Sequence, residues 1–239
     1  MARKKARASD DSKIRIGEES PPFFYLNKHN LSEKQKDFVD LALDPEVKIM
    51  LINGPAGSTK TYVAIYAALR LLSQNSDLDL LYARTIIESA DRNMGALPGT
   101  ADEKFNPYML PLLDKLEEFL KPSDCHRLFA EKRIEALPVN FLRGANWINK
   151  IVVADEAQNF TFKELTTLIT RIGEDTKLFV CGDFMQSDIN GKSGYRAMCD
   201  RFCDDTSKKM GIHTFKFGIE DIKRSRILKY IVKRLEETN

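Results

Sequence analysis

The 239-residue chain contains no apolar run near the ~20 residues that a membrane-spanning helix requires, so no span and no membrane partner are expected. Its N-terminus is basic and polar and lacks an apolar signal core, so secretion is not expected and the chain reads as cytoplasmic. Cysteine is sparse. Cys125, Cys181, Cys199 and Cys203 are scattered, which gives no disulfide framework. Cys199 and Cys203 stand one helical turn apart, but no second pair has metal spacing, and His126 and His213 are far apart in sequence. A zinc site is therefore not expected. Net charge is small: Lys and Arg number 37 against 35 Asp and Glu, a balance of +2. Any nucleic-acid partner must then be read from local charge. There is no internal repeat and no second domain of comparable size. What remains is an ordinary globular composition, 43% hydrophobic and 30% charged, with enough length for one large α/β domain.

The chain is organised around Gly54-Pro55-Ala56-Gly57-Ser58-Thr59-Lys60-Thr61. A β-branched apolar run, Val47 to Asn53, leads into it, and a helical stretch, Tyr62 to Leu72, leads out. Strand, small-residue loop, Lys-Thr and helix together form the context of a phosphate-binding loop. Small residues let backbone N–H groups close around phosphate oxygens. The following helix points unpaired donors and a positive dipole end at the same anion. Lys60 would reach the β- and γ-phosphates of ATP, and the Thr61 hydroxyl would bind Mg²⁺. One residue departs from the pattern G-x-x-x-x-G-K-[ST]: Thr59 stands where glycine is wanted, and a β-branched side chain resists the dihedrals glycine permits.

A second apolar strand, Ile151 to Ala154, ends in Asp155-Glu156. This is the Walker B pattern, in which Asp155 holds Mg²⁺ through water and Glu156 polarises the attacking water. Residues 1–20 read as a disordered basic arm and 21–239 as the folded domain. The arm is read either as a sequence-tolerant phosphate contact or as a solvated tail. Ser32 is a helix cap with Gln35 three residues on, a capping box. Gln35 has a second reading, an amide that reads adenine, because it precedes the loop by one helix and one strand. Leu78 to Ala83 is a strand whose carboxyl end leads to Arg84, Thr85, Ser89 and Arg92, on the ligand edge of a parallel sheet. These residues, joined by Arg143 on an expected hairpin within Ile134 to Trp147, are the candidate nucleic-acid contacts. The alternative pairs the arginines with Glu88 and Asp91 on a solvated face. A helix is expected over Lys104 to Leu120, and another over Thr161 to Ile172 with Thr161 as cap. Lys177 to Cys181 is a strand ending near Gln186, placed to sense the γ-phosphate. Ser193 opens a helix to about Phe202, His213 to Phe217 is a last strand, and Ile219 to Glu236 a basic amphipathic helix. Strands alternating with helices give an α/β class with a doubly wound, mainly parallel sheet.

Taken together, several of these segments resemble one family. They are Gly54–Thr61, Arg84 to Glu88 with Gly95 to Gly99, Phe105-Asn106-Pro107-Tyr108, Phe141-Leu142-Arg143-Gly144, and Asp155-Glu156-Ala157-Gln158-Asn159. Gly182-Asp183 with Gln186 and Asp188, and Phe217 to Arg224, complete the set. From about Leu31 to the C-terminus the chain resembles PhoH-like proteins, frequent in bacteria and phages. The resemblance implies a single RecA-type ATPase core, similar to the first motor domain of superfamily-one helicases. It also implies ATP hydrolysis with Mg²⁺, a ring-like and often hexameric assembly, and association with RNA or single-stranded DNA. A lone motor domain lacks a second lobe, so Arg224 is the expected arginine finger, reaching a neighbouring subunit. Ser225-Arg226 stands where the family often has His-Pro. Two rivals remain open at this level, a small-molecule P-loop kinase and a nucleotide-binding switch or scaffold with little turnover, which Thr59 favours.

Overall fold

The structure is a computed structural model that describes residues 23–85, 101–139, 147–187, 189 and 191–237, with 101–108 described by backbone alone. The expected arm at 1–20 lies outside the described residues, as do Ser89, Arg92, Arg143 and Asp188.

Continuous apolar runs build a sheet that is buried on both faces. Its strands are β1 (Ile49–Asn53), β2 (Asp79–Arg84), β3 (Ile134–Pro138), β4 (Lys150–Asp155), β5 (Lys177–Gly182) and β6 (Ile212–Lys216). Among the described residues the order is β3-β2-β4-β5-β1-β6, with every pairing parallel. Met50, Ile52, Ile151, Val153, Phe179 and Cys181 face one core, while Ile49, Leu51, Val152, Ala154, Leu178 and Val180 face the other. Successive side chains point to opposite faces, so a strand covered on both sides reads as an unbroken apolar run.

The first core is roofed by α1 (Glu33–Leu43), α2 (Lys60–Gln74), α3 (Ala101–Phe119) and α4 (Pro122–Ala130). The second is covered by α5 (Phe162–Ile169) and α6 (Tyr195–Arg201). α7 (Asp205–Lys209) and α8 (Arg226–Glu236) complete the set. This is a doubly wound, parallel α/β arrangement, with β5 interposed between the strand that feeds the phosphate loop and the strand that ends in Asp155. No described helix is long and apolar enough to cross a membrane.

Local signals account for the helix starts. Ser32 Oγ accepts from the Gln35 N–H, and Gln35 Oε1 accepts from the Ser32 N–H, closing the capping box. Thr161 and Glu164 do the same for α5.

Two expectations are corrected. Among the described residues Ile134–Pro138 is a parallel edge strand on β2, while the rest of the expected hairpin, with Arg143, lies outside the described residues; α4 precedes this strand where the sequence reading placed no element. Pro at the first position of α4 supplies the fixed φ that suits a helix start. The C-terminal segment is not one helix from Ile219. Ile219–Asp221 is a single tight turn, closed by the Gly218 N–H donating to Asp221 Oδ2 at 2.7 Å. The chain then extends, and Ser225 begins α8 by accepting from the Leu228 N–H at 3.2 Å. A hydroxyl that competes for backbone donors favours a cap over a helix interior. Arg224 therefore precedes the last helix rather than riding on it.

Burial pushes the thiol of Cys125 up and that of Cys199 up to about 12. It likewise pushes the Tyr62 phenol up to about 12 and the Tyr195 phenol well above its ordinary value. Unfolded, a thiol titrates near about 8.5 and a phenol near about 10, so their contribution to stability is complete below those values and is lost as pH rises towards the folded ones. Lys177 runs the other way. Burial lowers it to about 8, with its Nζ donating to the carbonyls of Asp44 and Val47. Between pH about 8 and about 10.4 the unfolded chain holds that proton and the fold does not, so the cost of burying Lys177 shrinks and stability from this group rises as pH rises through that window. Urea midpoints should fall as pH rises above about 9, and should fall more steeply in Lys177→Met, which lacks the opposing contribution.

Candidate functional site

The parallel register brings the strand ends to one edge. Asn53 pairs with Gly182 and Lys216, and Arg84 pairs with Asp155. The loop Gly54–Thr59 therefore emerges beside the segments that follow β4 and β5. Gly57 has φ +74, and a Cβ there would stand 2.7 Å from Leu228 Cδ2 and 3.4 Å from Arg224 Cβ, so a side chain at this position would be strained and would push on Leu228. The Lys223 N–H donates to the Gly57 carbonyl at 3.2 Å. The start of α8 thus covers the outside of the loop in its own subunit and sets Arg224 against it.

Lys60 and Thr61 open α2, whose N-terminal N–H groups have no partners within the helix. Lys60 Nζ donates to the Pro55 carbonyl at 3.4 Å and has no carboxylate partner among the described residues, which leaves its charge for an anion. Ser58 Oγ is buried without a hydrogen-bond partner among the described residues. Thr59 has φ 68 and ψ 12, the left-handed conformation that the glycine of the pattern would adopt freely. Its hydroxyl accepts from Gln35 Nε2 at 2.8 Å. The capping reading of Gln35 holds, and its amide nitrogen goes to the phosphate loop.

Thr61 Oγ1 donates to Asp155 Oδ1 at 2.7 Å, so the two expected Mg²⁺ ligands meet. A hydroxyl and one carboxylate beside a phosphate loop fit a hard cation that keeps several waters and takes phosphate oxygens as its remaining ligands. Among the described residues no group of three or more His, Cys, Asp or Glu side chains forms a cage of its own. Tyr82, from β2, donates to Asp155 Oδ2 at 2.6 Å, and Asp155 is only 6% exposed. Burial, with the Asp155 charge second, pushes the Tyr82 phenol well above its ordinary value, which keeps it a donor.

Glu156 is left-handed at φ 55. Its carboxylate accepts from Gln158 Nε2 at 2.5 Å and lies 3.6 Å from Arg84. Gln158 Oε1 in turn accepts from the Asp183 N–H at 3.0 Å, joining the segment after β4 to the segment after β5. Asn53 Oδ1 accepts from the Phe184 N–H at 3.1 Å across the same edge. Gln186 lies exposed on the turn beyond, its N–H donating to the Asp183 carbonyl at 3.4 Å. A cavity of ≈ 570 Å³ opens beside Pro55, lined also by Lys34, Asn53, Arg196, Lys216 and Glu220.

Of the expected nucleic-acid contacts, Arg84 and Thr85 stand at the edge, and Arg84 pairs with Glu156, while Glu88 and Asp91 lie outside the described residues. The Thr85 Oγ1 is buried without a hydrogen-bond partner among the described residues. Ser89, Arg92 and Arg143 fall outside the described residues. Sequence reasoning assigned no role to Tyr82 or Gln158. A lone phenol among the aliphatic residues of a buried strand was the available signal for the first. Nothing in the spacing marks the second.

The Tyr82 hydroxyl is a charge-assisted donor to a buried carboxylate, a class of bond worth roughly 1.5–3 kcal/mol. Tyr82→Phe should destabilise the fold by about that much in urea unfolding. The loss should shrink in an Asp155→Asn background, where the carboxylate charge is absent.

A family model described as PhoH-like protein matches residues 29–236. A PhoH-like protein of Mycobacterium tuberculosis is 35% identical over 200 residues, covering 83% of this chain and 55% of its own. Protein PhoH of Escherichia coli is 32% identical over 184 residues, covering 75% and 51%. The chain thus spans about half the length of these relatives. Among solved structures, Pif1 helicase from Candida albicans shares 14% identity at a TM-score of 0.40, covering 80% of this chain and 40% of that one. Bacteroides Pif1 bound to ssDNA shares 15% at 0.38, covering 86% and 45%. At those scores the likeness carries no functional argument. The family match runs through the phosphate loop, the Asp155-Glu156 strand end and the segment that covers Gly57, and the chain belongs to the PhoH-like protein family.

Proposed function

We propose that this chain binds ATP with Mg²⁺ at the phosphate loop and hydrolyses it while acting on or with RNA or single-stranded DNA. The observation that supports this best is the meeting of Thr61 with Asp155 at 2.7 Å while Glu156 stands next in sequence at the same sheet edge. Lys60 and the loop N–H groups bind the β- and γ-phosphates. Thr61 and Asp155 hold the metal site. Bound Mg²⁺ would supply neutralisation of phosphate charge. Glu156 orients the attacking water and accepts its proton as the water oxygen bonds to the γ-phosphorus and the bond to the bridging oxygen breaks. Gln186 senses the γ-phosphate from the turn after β5.

Arg224 is read as the cation that meets charge developing on the transferred phosphoryl group, a contribution worth roughly 10³–10⁵ in rate. The ring reading, most simply a hexamer, has it act on the next subunit, since head-to-tail contacts close rings. In the structure its Cβ lies beside the loop of its own subunit.

Lys60→Ala should lose nucleotide affinity, whereas Glu156→Gln should keep nucleotide and stop turnover. A fully active Glu156→Gln would refute the hydrolytic assignment. Mixing inactive Arg224→Ala with inactive Glu156→Gln should restore part of the activity if the arginine acts across subunits, and none if it acts within one.

One observation favours a second reading, a nucleotide-binding switch with little turnover: the Glu156 carboxylate is already engaged by Gln158 and Arg84. A nucleic-acid phosphate that draws Arg84 away would free one side of it and couple the two ligands. Phosphate release should therefore rise when single-stranded RNA or DNA is added at low salt, and the rise should fade steeply as salt increases. Turnover that stays near zero with every polymer tested would favour the switch.

A further inference from the structure

Thr59 is a β-branched residue in a conformation that L residues with branched side chains avoid, φ 68 and ψ 12. A strained backbone persists only where its surroundings hold it. The holding group here is identifiable. Gln35 is 6% exposed, and its amide is divided between two bonds. Oε1 accepts from the Ser32 N–H at 2.8 Å, and Nε2 donates to Thr59 Oγ1 at 2.8 Å. The helix that carries Gln35 is itself fixed. Phe38 is buried in the core, and Lys34 pairs with Asp221 at 3.0 Å. A rigid helix therefore reaches across 24 residues of sequence to grip the one loop position where glycine is missing.

We infer that Gln35 is a positioning residue that holds the phosphate loop through Thr59, and that it does so without selecting the base. This rests on the nucleotide reading above. A loop with glycine at this position would adopt the left-handed turn at no steric cost, whereas this loop is competent to the extent that the Gln35–Thr59 bond holds it. Apparent affinity falls in proportion to the competent fraction. The effect is therefore felt by any nucleoside diphosphate, because only the phosphates touch the loop. An amide that read adenine would instead act on one base.

The test is calorimetric titration of the full chain with ADP and, separately, GDP, at fixed Mg²⁺. It uses wild type, Gln35→Ala, Thr59→Val, the double variant and Thr59→Gly, with thermal melts to confirm folding. Thr59→Val keeps the branched shape and removes the acceptor. Gln35→Ala and Thr59→Val should each weaken ADP about five- to tenfold. The double variant should be no weaker than the weaker single one, and Thr59→Gly should bind at least as tightly as wild type. Gln35→Ala should weaken GDP by the same factor as ADP. A loss confined to ADP would show that Gln35 reads the base and would overturn the inference. Additive losses in the double variant, or unchanged affinity in Thr59→Val, would overturn it as well. A wild-type chain that binds neither nucleotide would overturn the nucleotide reading itself, and this inference with it.

Discussion

The hydrogen bond from Thr61 to Asp155 is the constraint on which the rest of the site depends. It ties the first turn of the helix after the phosphate loop to the end of a strand two places away in the sheet, across β5. That contact requires the carboxyl ends of β1, β5 and β4 to lie level, which the parallel register provides. Tyr82 extends the constraint one strand further by holding the other oxygen of Asp155. A carboxylate this buried is stable only with both oxygens engaged. The orientation of Asp155 is thus set by three separate elements, and the position a metal would take is set with it.

Two residues at this edge, Thr59 and Glu156, are left-handed without being glycine. Each has a side-chain partner that accounts for its persistence: Gln35 for the first, Gln158 for the second. Strain at a site is commonly held by the structure around it rather than relieved. The partners here are glutamines because an amide donates and accepts at once. Gln35 caps a helix while gripping the loop, and Gln158 holds Glu156 while receiving the Asp183 N–H. Both connect the site to neighbouring elements, so a shift at the phosphate loop or after β5 has a direct route to the acids.

The C-terminal segment adds a third boundary. Lys34 pairs with Glu220 and Asp221, Lys223 donates to Gly57, and Leu228 packs where a side chain on Gly57 would stand. The chain returns from the far edge strand β6 to close on the loop that follows β1. The loop is thereby enclosed by α1 on one side and the start of α8 on the other, and Arg224 is delivered to its rim.

Much of this was legible in the sequence. The apolar runs ending in Asn53, Asp155 and Cys181 specified buried parallel strands, because a strand covered on both faces needs no polar alternation. Gly57 with Lys60-Thr61 specified a phosphate loop, and Ser32 and Thr161 specified helix starts through hydroxyls that satisfy free N–H groups. These are local effects, set by side-chain shape and by donors within a few residues. What the sequence could not decide were matters of distance across the fold. A short β-prone piece at Ile134 pairs in parallel on the sheet edge, because pairing direction depends on where α3 and α4 bring the chain. The Gln35 amide goes to Thr59 and Arg84 goes to Glu156, because a polar side chain takes whichever partner the packing brings within about 3–4 Å. Sequence by itself determined where the small-residue loop with Lys60-Thr61 and the acids Asp155-Glu156 lie along the chain. Only the tertiary structure decided which side chains hold them, since those bonds join residues that have no neighbourhood in the chain.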